Sequence, residues 1–223
     1  MNNETRHPFR LTNLCLAFAL CTAAHAAPID ITYTGVVASI DNISAFTPTF
    51  LSTALVGDAV TLSFRFESTT PDAHANPSLG DYSAGLIGFS INIGTHGFST
   101  NFPETRTLTV ADGPTQDILT TEMTYRVALL PAGSFFRIAA SLTDNDASAF
   151  TGDAIPSSLN FSDFESALGS LSFWDGGTTQ TGEITFDWSD ASIDPFFIPL
   201  PTIPGLTAVA FAALAAPRSR RAR

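Results

Sequence analysis

The chain has 223 residues, which is enough for one β domain once a segment at each end is set aside. Phe is abundant at 19 residues, only 14% of the residues are charged, and there is no lysine. Between residues 27 and 195, four Arg stand against 20 acidic residues, a balance of −16. Such a surface repels a phosphate backbone, so we expect no nucleic-acid partner.

Residues 1–26 have the three parts of a signal peptide. In order these are a positive start (Arg6, Arg10), an apolar run (Leu11–Thr22) and a cleavage site of small residues (Ala24, Ala26, Ala27). The apolar run is shorter than the ~20 residues that a membrane-spanning helix needs. We therefore predict a signal helix that the Sec translocon reads and that is then removed, together with both cysteines, Cys15 and Cys21.

Residues 27–195 alternate apolar and polar side chains with a period of two, which is typical of strands with one buried face. The clearest apolar sets are Ile29/Ile31/Tyr33, Val60/Leu62/Phe64/Phe66, Phe89/Ile91/Ile93, Met123/Tyr125/Val127/Leu129, Phe136/Ile138/Ala140/Leu142 and Ile184/Phe186/Trp188. Turn residues separate these sets, and no helical period intervenes. We predict an all-β domain, an antiparallel β-sandwich with a jelly-roll-like or Greek-key strand order.

Residues 196–223 combine a proline-rich turn, a short apolar run and a basic end. The residues that carry these features are Pro199, Leu200, Pro201, Pro204, Gly205, Arg218, Arg220, Arg221 and Arg223. The prolines confine any helix to residues 204–216, which at 1.5 Å per residue covers roughly 18–20 Å of the ~30 Å hydrocarbon core. We predict a short apolar helix that anchors the chain only transiently in the inner membrane, with the arginines on the cytoplasmic side.

The order of these parts resembles the PEP-CTERM sorting signals that exosortases recognise in Gram-negative bacteria. Leu200-Pro201-Thr202-Ile203-Pro204-Gly205 stands where the Pro-Glu-Pro motif would be. The stretches ITYTGVVASI and VGDAVTLSFRFESTTPD are also similar to the N-terminal half of many PEP-CTERM proteins of unassigned activity. The resemblance implies secretion or display on a Gram-negative cell surface, an exosortase-like processing enzyme, and exopolysaccharide as a possible partner.

Two other interpretations of the tail stay open. A permanent C-terminal membrane helix is the first, although the apolar run is short for it. A Gram-positive sortase signal is the second, but it requires Leu-Pro-x-Thr-Gly, and Leu200–Pro204 lacks the Thr-Gly pair.

Asp144, Asn145 and Asp146, followed by Asp153, form the best candidate metal cluster in the sequence. Oxygen side chains that alternate along a loop can converge on Ca²⁺, which takes about six to eight oxygen ligands. The match to an EF-hand loop fails, because its glycine and glutamate positions hold other residues. The alternative is that these residues form turns, for which Asp and Asn are favoured.

Trp174 is the candidate residue for binding a sugar. It follows Phe173, so it points to the opposite face of its strand, and Asp175-Gly176-Gly177 follows it. Trp188 continues the apolar face of Ile184 and Phe186, and we therefore expect it in the core.

We predict a protein that is not an enzyme, with no catalytic residues. Only His74 and His96 remain after signal cleavage, and a zinc site would need Asp72 or Asp81 beside His74. We expect an exported cell-surface or extracellular-matrix protein that needs no cofactor. The alternatives are a carbohydrate- or calcium-binding adhesin module and a secreted hydrolase. A hydrolase would need a pocket with two carboxylates or a His–carboxylate pair.

Overall fold

The computed structural model describes residues 28–42, 51–101, 103–126, 134–175 and 179–195. The predicted signal helix with its cleavage site (Ala24, Ala26, Ala27) and the predicted sorting tail of residues 196–223 lie outside the described residues.

Ten strands make up most of the described part of the chain. They are β1 (Pro28–Asp41), β2 (Ala59–Glu67), β3 (Leu79–Asp81), β4 (Leu86–Ile93), β5 (His96–Thr100), β6 (Thr105–Asp112), β7 (Asp117–Arg126), β8 (Phe135–Asp144), β9 (Ser166–Trp174) and β10 (Gln180–Pro195). Three short 3-10 turns, Leu51–Thr53, Ser83–Gly85 and Phe161–Asp163, are the helical segments of these ranges. No helix within them is long and apolar enough to cross a membrane.

All ten strands belong to one curled sheet in the order β3-β6-β7-β8-β9-β10-β1-β2-β4-β5. Each neighbouring pair is antiparallel, so the prediction of an all-β antiparallel fold is confirmed. The predicted division into two stacked sheets differs from what the described residues form. The reason is β10, which at 16 residues is long enough to pair with β9 in its first half and with β1 over most of its length.

The concave face of the curled sheet holds the core. The period-two sets of the sequence supply it. Val60, Leu62, Phe64 and Phe66 of β2 are all buried, and so are Ile184, Phe186 and Trp188 of β10. The buried set of β8 is Phe136, Ile138, Ala140 and Leu142. Trp188 is therefore a core residue, as predicted. Curling brings the two halves of the sheet face to face, since the Thr121 hydroxyl of β7 donates to the Tyr33 hydroxyl of β1 at 3.1 Å.

The two ends of the sheet-forming segment are neighbours. Ile29, near the start of β1, is paired with Pro195, the last residue of β10. Because the two strands are antiparallel, the chain enters and leaves the domain at the same end of adjacent strands.

An acidic candidate site at the end of strand β8

Asp144 is the last residue of β8, and its side chain is fully buried. Its Oδ1 accepts the N–H of Asp146 at 2.9 Å, and its Oδ2 accepts the N–H groups of Ser148 and Ala149, each at 2.7 Å. The backbone needs this support because Ala147 has a φ of 58°, in the left-handed region that non-glycine residues seldom adopt. One carboxylate therefore fixes the start of the loop between β8 and β9.

The same hydrogen bonds keep Asp144 ionised. The N–H of Asp146, together with those of Ser148 and Ala149, lowers the pKa of the Asp144 carboxyl to about 2, although burial acts in the opposite direction. At neutral pH this site therefore carries a permanent negative charge.

Three carboxylates come together at this position. Asp144, Asp146 and Glu165 each offer an oxygen, and these oxygens all lie within 4.8 Å of one another. Asp146 and Glu165 are exposed, and Glu165 is held by the N–H of Asn145, which donates to its Oε2 at 2.7 Å. The structure thus brings Asp144 and Asp146 together. Asn145, which lies between them in the sequence, donates its backbone N–H to the carboxylate of Glu165.

Asp153, the fourth residue of the predicted cluster, is not a member of this group. Its carbonyl oxygen accepts the hydroxyl of Tyr82 at 3.2 Å, next to the short strand β3. Tyr82 also donates its N–H to the carbonyl oxygen of Leu108 in β6, so this contact ties the β8–β9 loop to the β3–β6 end of the sheet.

Sequence reasoning missed Glu165, because it follows Asp144 only after a loop with no regular spacing. It also missed Asp117, the first residue of β7, which is directly opposite Asp144 in the register. Asp117 is 0% exposed, and its Oδ2 accepts the N–H of Phe150 at 2.8 Å. A signal for Asp117 existed, since it continues the inward alternation of Leu119 and Met123 and so places an acid on a buried face.

The two buried carboxylates lie side by side. The consecutive residues Ala149 and Phe150 donate their N–H groups to Asp144 and Asp117, respectively. The other oxygen of Asp117, Oδ1, is enclosed and has no hydrogen-bond partner among the described residues.

Asp72 organises the loop between β2 and β3, where its carboxylate accepts hydrogen bonds from the backbone. Oδ1 of Asp72 accepts the N–H groups of His74 and Asp81, both at 2.8 Å, and Nδ1 of His74 accepts the N–H of Asn76 at 3.2 Å. In the part of the chain that the structure describes, no group of three metal-ligating side chains includes His74.

Trp174, the predicted sugar-binding residue, is half-buried at the end of β9. Its indole is stacked on the ring of Phe135 with a centroid separation of 5.9 Å and an interplanar angle of 4°. One face of the indole is therefore covered by the protein itself. Asp175 lies beside it, and Gly176 and Gly177 lie outside the described residues.

A groove of about 540 Å³ lies on the outer face of β7, β8, β9 and β10. It contains two carboxylates, Glu122 of β7 and Asp187 of β10, and Glu122 is in an ion pair with Arg137. These carboxylates are three strand spacings apart, about 14 Å at ~4.8 Å per spacing. A glycosidase pair needs at most about 9.5 Å, so this groove does not have the geometry of a glycoside hydrolase.

Comparison with known proteins gives no match to a family model, to a curated protein or to a solved structure.

Proposed function

We propose that this chain is an exported cell-surface or extracellular-matrix protein of a Gram-negative bacterium, sorted through its C-terminal tail. The observation that carries the proposal is the order of features at the two ends of the sequence. A short apolar run after Arg6 and Arg10 precedes the domain, and a proline turn, an apolar run and an arginine cluster follow it. A helix limited to residues 204–216 holds a chain in a bilayer only weakly, which suits a signal that an exosortase-like enzyme later removes.

The extent of the sheet supports this division. β1 begins at Pro28, immediately after the proposed cleavage site, and β10 ends at Pro195, immediately before the proposed tail. The strands between them bury a continuous core, and we expect the sheet to persist after removal of both terminal segments. In this proposal, the signal helix directs export from the N-terminal side of the domain, and the short apolar helix directs sorting from its C-terminal side.

The role that we propose is not enzymatic. The strands that carry the two carboxylates of the groove on β7 to β10 are three spacings apart, and the hydrogen bonds around Asp72 and His74 stabilise a loop. With a charge near −16 between residues 27 and 195, the released domain stays soluble among acidic polymers, whose direct binding would need a cation or uncharged sugar contacts.

The test is the intact mass of the protein recovered from a host that encodes an exosortase. We expect a chain that begins at Ala27 and has lost its arginine cluster, and a chain that still ends at Arg223 contradicts the proposal. The matched control replaces Arg218, Arg220, Arg221 and Arg223 with Ala, which keeps the length and the apolar run. Without the arginines, the stop-transfer signal fails, and we expect this variant to leave the membrane with its tail uncut.

A further inference from the structure

We propose that Asp144, Asp146 and Glu165 bind a calcium ion next to the buried carboxyl group of Asp117. This inference is independent of how the protein is exported. It concerns a binding property of the folded domain.

The spacing of the three carboxylates fits one ion. Ca²⁺–oxygen distances are about 2.3–2.6 Å, so two ligands on opposite sides of the ion are at most about 5 Å apart. The oxygens of Asp144, Asp146 and Glu165 lie within 4.8 Å of one another, inside this limit. Because the group contains only carboxylates, it favours Ca²⁺ over zinc, which prefers Cys and His.

Asp117 supplies a second and separate observation. Its side chain is 0% exposed, yet Oδ1 has no hydrogen-bond partner among the described residues. It lies beside Asp144, so two carboxyl groups share a buried position where β7 begins and β8 ends. Burial of a charged oxygen without a partner is costly unless a cation is close.

No basic side chain of the described residues supplies that positive charge. The chain has no lysine, and its described arginines make contacts elsewhere. Arg65 pairs with Asp30, Arg126 with Glu104 and Arg137 with Glu122, while Arg106 donates to the carbonyl oxygen of Leu86. A bound divalent cation would supply that positive charge.

The carboxylates of Asp144 and Glu165 are held in place by hydrogen bonds and keep lone pairs that can bind the ion. Each carboxylate oxygen has two lone pairs, so an oxygen that accepts one N–H can still bind a cation. The backbone N–H groups fix Asp144 and Glu165 in position, which reduces the entropy that binding would otherwise cost.

The experiment is a calcium titration of the exported protein after treatment with a chelator, followed by calorimetry and by thermal unfolding. We expect one binding event and a rise in Tm of about 2–4 °C or more in millimolar calcium, with no such rise at matched ionic strength in sodium chloride. The absence of both heat and a Tm shift would overturn the proposal.

The variants separate calcium binding from loop support. Asp146→Asn and Glu165→Gln should each weaken calcium binding about tenfold or more, whereas the control Asp163→Asn on the same loop should bind as the wild type does. Asp117→Asn should raise the Tm of the calcium-free protein and reduce the shift that calcium produces. If Asp146→Asn and Glu165→Gln bind with wild-type affinity, the acidic group serves only the loop and the proposal is wrong.

Discussion

Gly169 of β9 lies where the indole of Trp188 packs against the sheet. A Cβ atom at this position would overlap the ring atoms of Trp188, which is 7% exposed and is packed against Tyr33 and Phe186. The close approach of a large ring to the backbone thus depends on the absence of a side chain at one residue of the neighbouring strand.

We predict that Gly169→Ala destabilises the protein by about 1–3 kcal/mol, because the indole must shift within a packed core. Urea unfolding measures the change in free energy. The control is Ser170→Ala, on the outer face of the same strand, for which we expect a much smaller effect. A Gly169→Ala protein with wild-type stability would show that the core tolerates the added methyl group.

Asp72 gives the stability of the fold a dependence on acid pH. The N–H groups of Asp81 and His74 hold the pKa of the Asp72 carboxyl below its usual value of 3.8. Because the pKa is depressed in the folded state, the carboxylate stabilises the fold at pH values above the unfolded pKa. This stabilisation is lost as the pH falls through the folded value.

We therefore predict that Asp72→Asn is less stable than the wild type at pH 7 and that the difference disappears in strong acid. Urea unfolding at a series of pH values from neutral to below the usual carboxyl range measures this convergence. Asp41→Asn, an exposed carboxylate at the end of β1, is the control. A difference between Asp72→Asn and the wild type that is the same at every pH would contradict the linkage.

At the scale of the elements, an aromatic cluster joins the two halves of the sheet. Phe98 of the edge strand β5 lies 5.3 Å from Tyr125 of β7 and 5.6 Å from Phe136 of β8, measured between ring centroids. Phe89 of β4 is 6.1 Å from Phe136. These rings close the curl across the core, since β4 and β5 are far from β7 and β8 in the strand order.

We predict that Phe98→Ala costs about 2–3 kcal/mol and increases hydrogen exchange in β4 and β5 more than in β9 and β10. The reason is that β5 pairs only with β4 among the described strands, so its outer side depends on these ring contacts. His96→Ala, an exposed residue of the same strand, is the control. Uniform faster exchange in every strand would instead mean that the sheet opens as one unit.

The period of the sequence predicted which face of each strand is buried, because alternation is a local property of the chain. The aromatic contacts were not predictable in the same way. They depend on how far the sheet curls, which follows from pairing between distant segments and from the two register shifts of the β1–β10 pair near Gly35 and Val37. Glu165 was missed for the same reason, as its position beside Asp144 results from the register of β8 and β9.

At the scale of the whole molecule, the all-β class followed from composition and alternation, while the single sheet did not. Two stacked sheets and one curled sheet bury the same alternating residues, so the apolar pattern does not distinguish between them. The deciding feature is that β10 is paired on both sides, with β1 and with β9. β10 lies between β9 and β1 in the sheet, although it is the last strand in the chain. Nothing local in its sequence indicates that it pairs with both of them.

The pairing of Ile29 with Pro195 places the first and last strands of the described sheet with their outer ends at one pole of the domain. Joining these residues would need only a linker of hairpin length, about 2–5 residues, so the fold is compatible with a circular chain opened elsewhere. Under the proposed export and sorting, leader removal and the C-terminal tether would both act at this pole. The loops at the far pole would then be the part of the domain that a neighbouring molecule meets first.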